Sequence, residues 1–217
     1  MRSHAPILVF ILGWLWLTLA PGCDSQTDTP DSAGDDYYHS IPQFRRMRDQ
    51  RFKTAGDSPI PPEARRQFQG LAYFPINPSM RFSVRLHRLQ PADTVWIMTT
   101  HGRDRPALKV GYFEFAMHQK SYRLFAYIFL DQLAASRHHL FIPFRDATSG
   151  KMTYAGGRYL KLPINQDDRY ILDFNLAYNP SCAYGNMDYI CPIPLPENTL
   201  PVAILAGEKL WNPPQSP

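Results

Sequence analysis

The chain has 217 residues, with 23 Lys and Arg against 19 Asp and Glu and a formal net charge of +4. This near balance argues against a nucleic-acid partner, as does the lack of any basic motif interleaved with aromatic residues. The length allows one domain with a packed core.

The first 22 residues have the pattern of an export signal. An apolar run over residues 7–20 suits a signal peptide and is shorter than the roughly 20 residues of a membrane-spanning helix. It ends in LAPGC, which resembles the bacterial lipobox, so Cys23 is expected to carry a lipid and to become the mature N-terminus. Ordinary cleavage nearby and an uncleaved anchor are the alternatives. We therefore expect a lipoprotein of the bacterial cell envelope, attached to the membrane through Cys23 and facing the periplasm.

Residues 23–38 are predicted to form a disordered acidic tether. The stretch DSQTDTPDSAGDD contains aspartates and small polar residues but no Lys or Arg. Such a segment has too little apolar surface to join a core. The remaining residues, 39–217, are predicted to form a single β-rich domain.

One amphipathic helix is predicted over residues 40–54. Ser40 is a favourable N-cap, and a proline follows in the first turn. At 100° per residue four apolar side chains share one face: Ile41, Phe44, Met47 and Phe52. Arg48 and Arg51 fall on the same face. Either their stems cover apolar surface while their heads reach water, or one of them meets a buried carboxylate or an anionic ligand. After the helix, a short helical turn is expected from Pro62.

From Gly70 onward the pattern is that of strands. The predicted strands are SMRFSVRLH, TVWIMTT, ALKVGYFEFAM, SYRLFAYIFL, HLFIPF, TYAGGRYLKL, RYILDFNLAYN and LPVAILAGEKL. HQK predicts a hairpin between the third and fourth, and RDATSG a turn between the fifth and sixth. Short strands joined by short turns predict a mainly β fold, an antiparallel β-barrel or sandwich with one N-terminal amphipathic helix.

The strand RYILDFNLAYN has an unusual polar face. Asp173, Asn175 and Asn179 alternate with apolar residues, although Asp and Asn are depleted in strands. They form either an exposed face that runs into a turn or the lining of a polar cavity or barrel mouth.

The stretch TYAGGRYL is a second candidate. Gly156 and Gly157 indicate a bulge or a close backbone approach. Arg158 can offer a bidentate fork to a carboxylate or phosphate. The alternative is a structural arginine paired with Asp173 or Asp146.

Four blocks together resemble the bacterial family called domain of unknown function 1684. They are SPIPPEARRQFQGLAYFPINPSMRF, LFIPFRDATSGKMTYAGGRYLKL, DFNLAYNPSCAYG and CPIPLPENTLPVAILAGEK. The resemblance covers roughly residues 44–209. It implies one self-contained domain with YAGGRYL and FNLAYNPSCAY as signature blocks, and it implies no activity.

Cys182 and Cys191 remain if Cys23 is lipidated. In an exported protein they favour a disulfide. A zinc site is disfavoured because the sequence has no CxxC and no histidine after His139, so no metal is predicted. A catalytic thiol and a buried free pair remain open.

Three functions are compatible with these features. The first is a pocket for a small polar or anionic ligand, lined by the following candidates: Arg158, Asp173, Asn175, Asn179, Tyr154 and Gly157. In it Arg158 supplies the charge and Asp173 positions Arg158. The second is a hydrolase-like enzyme that uses the same residues, with Asp173 as acid or base. The third is a structural envelope protein that binds other proteins through strand edges. The sequence identifies no cofactor.

Overall fold

The computed structural model describes residues 32–131, 138–186 and 188–212. The predicted signal peptide, the lipidation site Cys23 and residues 23–31 of the predicted tether lie outside these ranges. None of the helices within them is both long enough and apolar enough to span a bilayer.

Helix α1 runs over Ser32–Thr54. It ends at the predicted residue but begins eight residues before Ser40, so the part of the predicted tether from residue 32 onward is helical. The hydroxyl of Ser40 donates to the Tyr37 carbonyl at 2.9 Å within the helix instead of capping it. Tyr37 fixes this additional part of the helix, because its own hydroxyl accepts a 2.9 Å hydrogen bond from the Asn175 side chain. The predicted turn at Pro62 is confirmed as helix α2, Pro62–Arg65.

Within the described residues, six strands form one antiparallel sheet in the order β5-β4-β3-β2-β1-β6. They are β1 (Arg81–Ile97), β2 (Arg105–Met117), β3 (Lys120–Phe129), β4 (His139–Phe144), β5 (Arg158–Pro163) and β6 (Arg169–Asp173). The first two predicted strands are one long strand, β1, whose pairing with β2 shifts register between Arg88 and Asp93. The predicted hairpin at HQK is confirmed, and His118 and Gln119 both have positive φ, as a two-residue type I′ turn requires.

The sheet closes almost completely into a barrel. Tyr178, shortly after β6, exchanges two backbone hydrogen bonds of 2.9 and 3.1 Å with Tyr159 of β5. This bridge joins the two edges of the sheet, so the predicted mainly β barrel with an N-terminal helix is confirmed.

Two strand predictions in the C-terminal half are wrong. The strand RYILDFNLAYN ends at Asp173, and a 3-10 helix, Phe174–Leu176, follows it. Residues 200–210 form no strand. They make only isolated backbone hydrogen bonds with residues such as Arg145 and Phe74, and the carbonyls of Ile204 and Ala206 accept from the buried Arg158 side chain.

Alternation along the strands builds two apolar layers. Leu140, Ile142 and Leu160 face the barrel interior, while Phe141 and Tyr159 face outward. The outward layer is a set of buried side chains: Ile97, Ala107, Tyr127, Phe129, Phe141 and Tyr159. Because so much apolar area is unfavourable in water, this face needs a cover. The irregular chain after β6 supplies it, with Tyr178 and Leu195 packed against the layer. A third cluster packs Phe52 of α1 against Tyr184 and Trp211.

Candidate functional site

A cavity of about 280 Å³ lies on the outer face of the sheet, between β3–β5 and residues 178–192. Six aromatic side chains line it: Tyr127, Phe129, Phe141, Tyr159, Tyr178 and Tyr189. Ser181, Ile190 and Cys191 contribute to the opposite wall. We call this cavity the aromatic cleft. It lies outside the barrel, whereas the sequence suggested a barrel mouth.

The charge lining the aromatic cleft is cationic. Its described lining includes Arg105, His139 and Lys161 but no Asp or Glu. Arg105 is neutralised by two hydrogen bonds of 2.7 and 2.8 Å to the Asp131 carboxylate. Its guanidinium also lies 3.9 Å from the ring centroid of Phe129. Arg105 therefore forms part of the wall and is not an open cation.

Lys161 is the cation that remains open. Among the described residues it makes no ion pair, and the residue is exposed on β5. Partial burial lowers the pKa of Lys161, and the nearby positive charge of Arg48 lowers it further. A bound anion would act in the opposite direction, because an adjacent negative charge favours the protonated lysine.

Some hydroxyl groups of the cleft donate hydrogen bonds within the protein, and others have no partner there. Tyr127 donates to Glu197 at 2.9 Å, and Tyr159 donates to the Pro192 carbonyl. The side-chain hydroxyls of Tyr178 and Ser181 have no hydrogen-bond partner in the part of the chain that the structure describes. Burial raises the pKa of Tyr178, so its hydroxyl stays protonated at neutral pH. The free donors therefore lie beside Lys161.

A second cavity adjoins the cleft. This α1 groove, about 550 Å³, lies between helix α1 and strand β5. The two cavities share four of their lining residues: Lys161, Tyr178, Ser181 and Tyr189. Farther along, the groove is lined by apolar side chains that include Phe44, Leu162 and Leu176. Lys161 therefore stands at the junction of the two cavities.

A buried ionic network forms the floor beside the groove. The Nε of Arg48 lies 3.3 Å from Oε2 of Glu208, whose side chain is 1% exposed. Glu208 also accepts hydrogen bonds from the Tyr184 hydroxyl and from the backbone and side-chain nitrogens of Asn179. Of the two alternatives for the helix arginines, Arg48 meets a buried carboxylate. Arg51 instead forms an exposed pair with Asp57 at 2.8 Å.

Arg158, the predicted ligand-binding cation, is fully buried. Its Nη2 lies 3.4 Å from Oδ2 of Asp146 and donates to the Ile204 carbonyl at 2.9 Å. Its Nη1 donates to the Ala206 carbonyl. The guanidinium thus holds the C-terminal segment against β5, and the pairing with Asp146 is the structural alternative considered for it. Arg158 is not among the lining residues of the cleft or the groove.

The polar side chains of Asp173 and Asn175 form the hydrogen bonds that end β6 and start the 3-10 helix after it. Oδ1 of Asp173 accepts hydrogen bonds of 2.9 Å from both the backbone and side-chain nitrogens of Asn175. Asp173 thereby caps the N-terminus of the 3-10 helix. Asn175 in turn accepts from the Asn77 backbone at 2.8 Å and donates to its carbonyl at the same distance. Asp173 faces Arg81, at 4.0 Å, whereas the sequence suggested that it would position Arg158.

The remaining candidates are separated. Asn179 lines the α1 groove together with Asp173, and its side chain also donates to the Lys209 carbonyl at 2.8 Å. Gly157 has φ +89°, and a Cβ there would lie 2.5 Å from the Phe144 carbonyl oxygen, which confirms the close backbone approach. Tyr154 lines neither cavity, so the six candidates do not converge on one site.

The structure joins Cys182 and Cys191 in a disulfide, the alternative that the sequence favoured. The bridge lies in the wall of the aromatic cleft, where Cys191 is a lining residue. Cys191 is also held by hydrogen bonds of 2.9 and 3.1 Å with Thr100. No group of His, Cys, Asp and Glu side chains suited to a metal ion occurs in the described ranges.

Lys161 and Asn198 were missed by the sequence reasoning. Lys161 is the one charged residue in the strand RYLKLP after its first position, and the alternation with Leu160 and Leu162 would have placed it on the outer face. Asn198 is fully buried and gave no local signal. Its amide accepts from the Phe125 nitrogen at 2.8 Å and donates to the carbonyls of Phe125 and Pro143 at 2.9 and 2.7 Å. It thus links β3 to β4.

Comparison with known proteins places residues 66–209 in the family described as Protein of unknown function (DUF1684). The solution NMR structure of an uncharacterised protein of Haloarcula marismortui is similar to this chain. The two share 34% identity over 82% of this chain and 97% of that chain, with a TM-score of 0.62. No protein with a curated functional description matches.

Proposed function

The chain belongs to the DUF1684 family, and we propose that it is a binding protein for a small anionic ligand with a flat apolar body, held in the aromatic cleft. The observation that carries this proposal is Lys161, an unpaired cation at the end of a cavity walled by six aromatic side chains. The proposal keeps the small anionic ligand expected from the sequence and moves its site to the outer face of the barrel.

The walls of the cleft select the body of the ligand. Aromatic side chains offer flat apolar faces, which favour a ring stacked or packed edge-to-face between them. At about 280 Å³ the cleft is near the lower end of the roughly 300–1,000 Å³ that ligand pockets usually occupy. A ligand with one or two rings therefore suits the space better than a large cofactor.

The charge distribution selects the sign of the ligand. Lys161, Tyr178 and Ser181 present donors at one end of the cleft, and its described lining offers no carboxylate to repel an anion. Hydrogen bonds between an ammonium group and an anionic oxygen are roughly twice as strong as neutral ones. An anion at Lys161 with its ring packed against the exposed sides of Phe141 and Tyr159 uses both features together.

Titration with benzoate, with its neutral counterpart benzamide as the reference, tests this proposal. The chain should bind benzoate more tightly than benzamide, with amide NMR shifts centred on Ser181 and Cys191. Lys161→Met should weaken benzoate binding about tenfold, since it removes a charge-assisted bond of about 1.5 kcal/mol, and Lys161→Arg should retain most of the affinity. Lys151→Met is the matched control, because Lys151 is exposed and remote from the cleft lining.

Two results would contradict the proposal. Equal affinity for benzoate and benzamide would show that the charge of Lys161 plays no part. Shifts that fall outside residues 178–192 would show that the ligand binds elsewhere.

Asp173 is not proposed as a catalytic acid or base. It lines the α1 groove, but its carboxylate caps Asn175 and faces Arg81. Replacing Asp173 is expected to disturb the end of β6, so a loss of activity in such a variant would not identify Asp173 as a catalytic residue.

We also propose that the chain is lipidated at Cys23 and held at the periplasmic side of a bacterial membrane. The support is the sequence LAPGC after an apolar run. Labelling of cells with a radioactive fatty acid should mark the wild-type protein and leave Cys23→Ser unmarked. Recovery of both forms in the soluble fraction would contradict the proposal.

A further inference from the structure

We infer that the aromatic cleft and the α1 groove bind one ligand that spans both: an amphiphilic anion whose charge lies between two apolar arms, as in a phosphodiester with one aromatic and one alkyl substituent. This inference rests on the proposed function of the cleft and adds the second arm of the ligand.

The first support is the continuity of the two cavities. Four residues line both of them: Lys161, Tyr178, Ser181 and Tyr189. These residues come from β5, from the segment after β6 and from the disulfide-closed loop. A ligand anchored at this junction therefore has open space on either side.

The second support is the position of the open charge. Lys161 stands at the junction and not at either end of the combined cavity. The free hydroxyls of Tyr178 and Ser181 lie at the same place. Donors in the middle of a trough suit an anion in the middle of a ligand, because a terminal anion would leave one of the two lobes unfilled.

The third support is the chemistry of the groove beyond Lys161. Phe44 of α1 is 38% exposed, and it faces the groove together with the half-buried Leu162 and Leu176. The two carboxylates that line the groove already face cations: Asp57 pairs with Arg51, and Asp173 faces Arg81. Between these paired charges, Phe44, Leu162 and Leu176 offer an apolar strip along the groove, which suits an alkyl arm.

The experiment compares methyl phenyl phosphate with hexyl phenyl phosphate, which carry the same single negative charge and the same ring. Full burial of one methylene corresponds to roughly a fourfold gain in affinity. For five added methylenes in an open groove we expect hexyl phenyl phosphate to bind at least tenfold more tightly, as measured by calorimetry on the full chain below the micelle-forming concentration.

Two variants of helix α1 locate this gain. Phe44→Ser should clearly reduce the ratio of the two affinities, because it removes one of the three side chains of the apolar strip along the groove. Met47→Ser is the matched control, since Met47 is 66% exposed on the same helix and lies outside the groove lining, and it should leave the ratio unchanged.

Equal affinities of the two diesters, with benzoate binding still dependent on Lys161, would overturn the spanning ligand and leave the cleft proposal intact. A ratio left unchanged by Phe44→Ser would place the alkyl arm outside the groove and would also overturn the inference. Failure of benzoate and both diesters to bind would overturn the proposed function and this inference with it.

Discussion

Replacing Glu208 by glutamine is expected to lower the free energy of unfolding by about 3–5 kcal/mol at pH 7. The carboxylate receives hydrogen bonds from Asn179 at 3.1 and 3.2 Å, from Tyr184, and from Arg48 Nε at 3.3 Å. Glutamine has one carbonyl oxygen, so whichever way its amide turns, its NH₂ group faces a donor that the carboxylate accepted. Arg48 also loses its counter-ion while its side chain stays only 18% exposed, and removing one partner of a buried pair is costly.

The same helix supplies the control. Arg51 pairs with Asp57 at 2.8 Å, and both side chains are 68% exposed. Exposed pairs contribute little, so Arg51→Met should change the free energy of unfolding by no more than about 0.5 kcal/mol. Arg48→Met should cost several times as much as Arg51→Met. The double variant Arg48→Met/Glu208→Gln should cost clearly less than the sum of its two single changes.

Urea denaturation followed by circular dichroism gives these free energies, with the slope on urea concentration checked for constancy. A cost for Glu208→Gln no larger than that of Arg51→Met would refute the reasoning. So would additive costs in the double variant, because additivity means that Arg48 and Glu208 do not interact.

The pH dependence gives an independent test. Burial raises the pKa of Glu208, and Arg48 and the hydrogen bonds from Tyr184 and Asn179 oppose this only in part. A carboxyl group whose pKa is raised on folding contributes most below its unfolded pKa, about 4.3, and loses that contribution as the pH rises through the folded pKa. Without Arg48 the folded pKa rises further. The cost of Arg48→Met should therefore be larger at pH 7 than at pH 4, and an equal cost at both would count against the pair.

Four further predictions concern other parts of the molecule. Asn198→Asp should lower the free energy of unfolding by at least about 3 kcal/mol, because two buried carbonyls lose their donor and a carboxylate is buried instead; a cost under 1 kcal/mol in urea denaturation would contradict this. Gly157→Ala should lower the free energy of unfolding by at least about 2 kcal/mol, because φ is positive there and the added Cβ would lie 2.5 Å from the Phe144 carbonyl oxygen. A melting temperature equal to that of the wild type would show that the backbone adapts without cost. Opening the disulfide with Cys182→Ser and Cys191→Ser should cost about 2.5–3 kcal/mol for a loop of about ten residues; intact mass with and without alkylation must first find no free thiol at these positions in the wild type. Benzoate affinity should fall as the pH rises through the pKa of Lys161, which burial and Arg48 hold below the ordinary lysine value. Calorimetry should therefore show the loss of affinity at a lower pH than a typical lysine would give. An affinity that does not change with pH would argue against Lys161 as the anion's partner.

The sequence predicted the strands well where alternation was clean. HLFIPF is β4 without a change of boundary, and the hairpin at HQK occurs as expected. It failed where polar residues had a local backbone role. Asp173 and Asn175 looked like the face of a strand, yet Asp173 caps a 3-10 helix and Asn175 lies within it. A period-two pattern cannot reveal that the strand stops. Residues 200–210 have the composition of a strand, but they make only isolated backbone hydrogen bonds and two of their carbonyls are held by the side chain of Arg158.

The site was the least predictable part, for a physical reason. Asn175 was selected because Asn and Asp are depleted in strands, and Arg158 because it follows two glycines and can bind an anion through two nitrogens. Both side chains are buried and bonded within the protein. Lys161 was overlooked because an outward lysine on a strand is ordinary. Its significance comes from Tyr178 and Ser181, which only the closure of the barrel and the fold of the C-terminal segment bring beside it.

The barrel interior is filled by packed side chains, so the proposed ligand site lies on the outer face of the sheet. Phe113, Phe144 and Phe174 are fully buried inside it, and the ring of Phe174 packs edge-on against that of Phe144 with centroids 5.3 Å apart. A core packed in this way acts as a rigid support, not a container. The two cavities lie where α1 and the disulfide-closed loop meet β5. Arg48 contacts both the floor and the wall there: it binds Glu208, and its guanidinium lies 5.0 Å from the ring centroid of Tyr178. Loss of the Arg48–Glu208 pair should therefore weaken ligand binding as well as stability, since the ring that closes the junction loses its support.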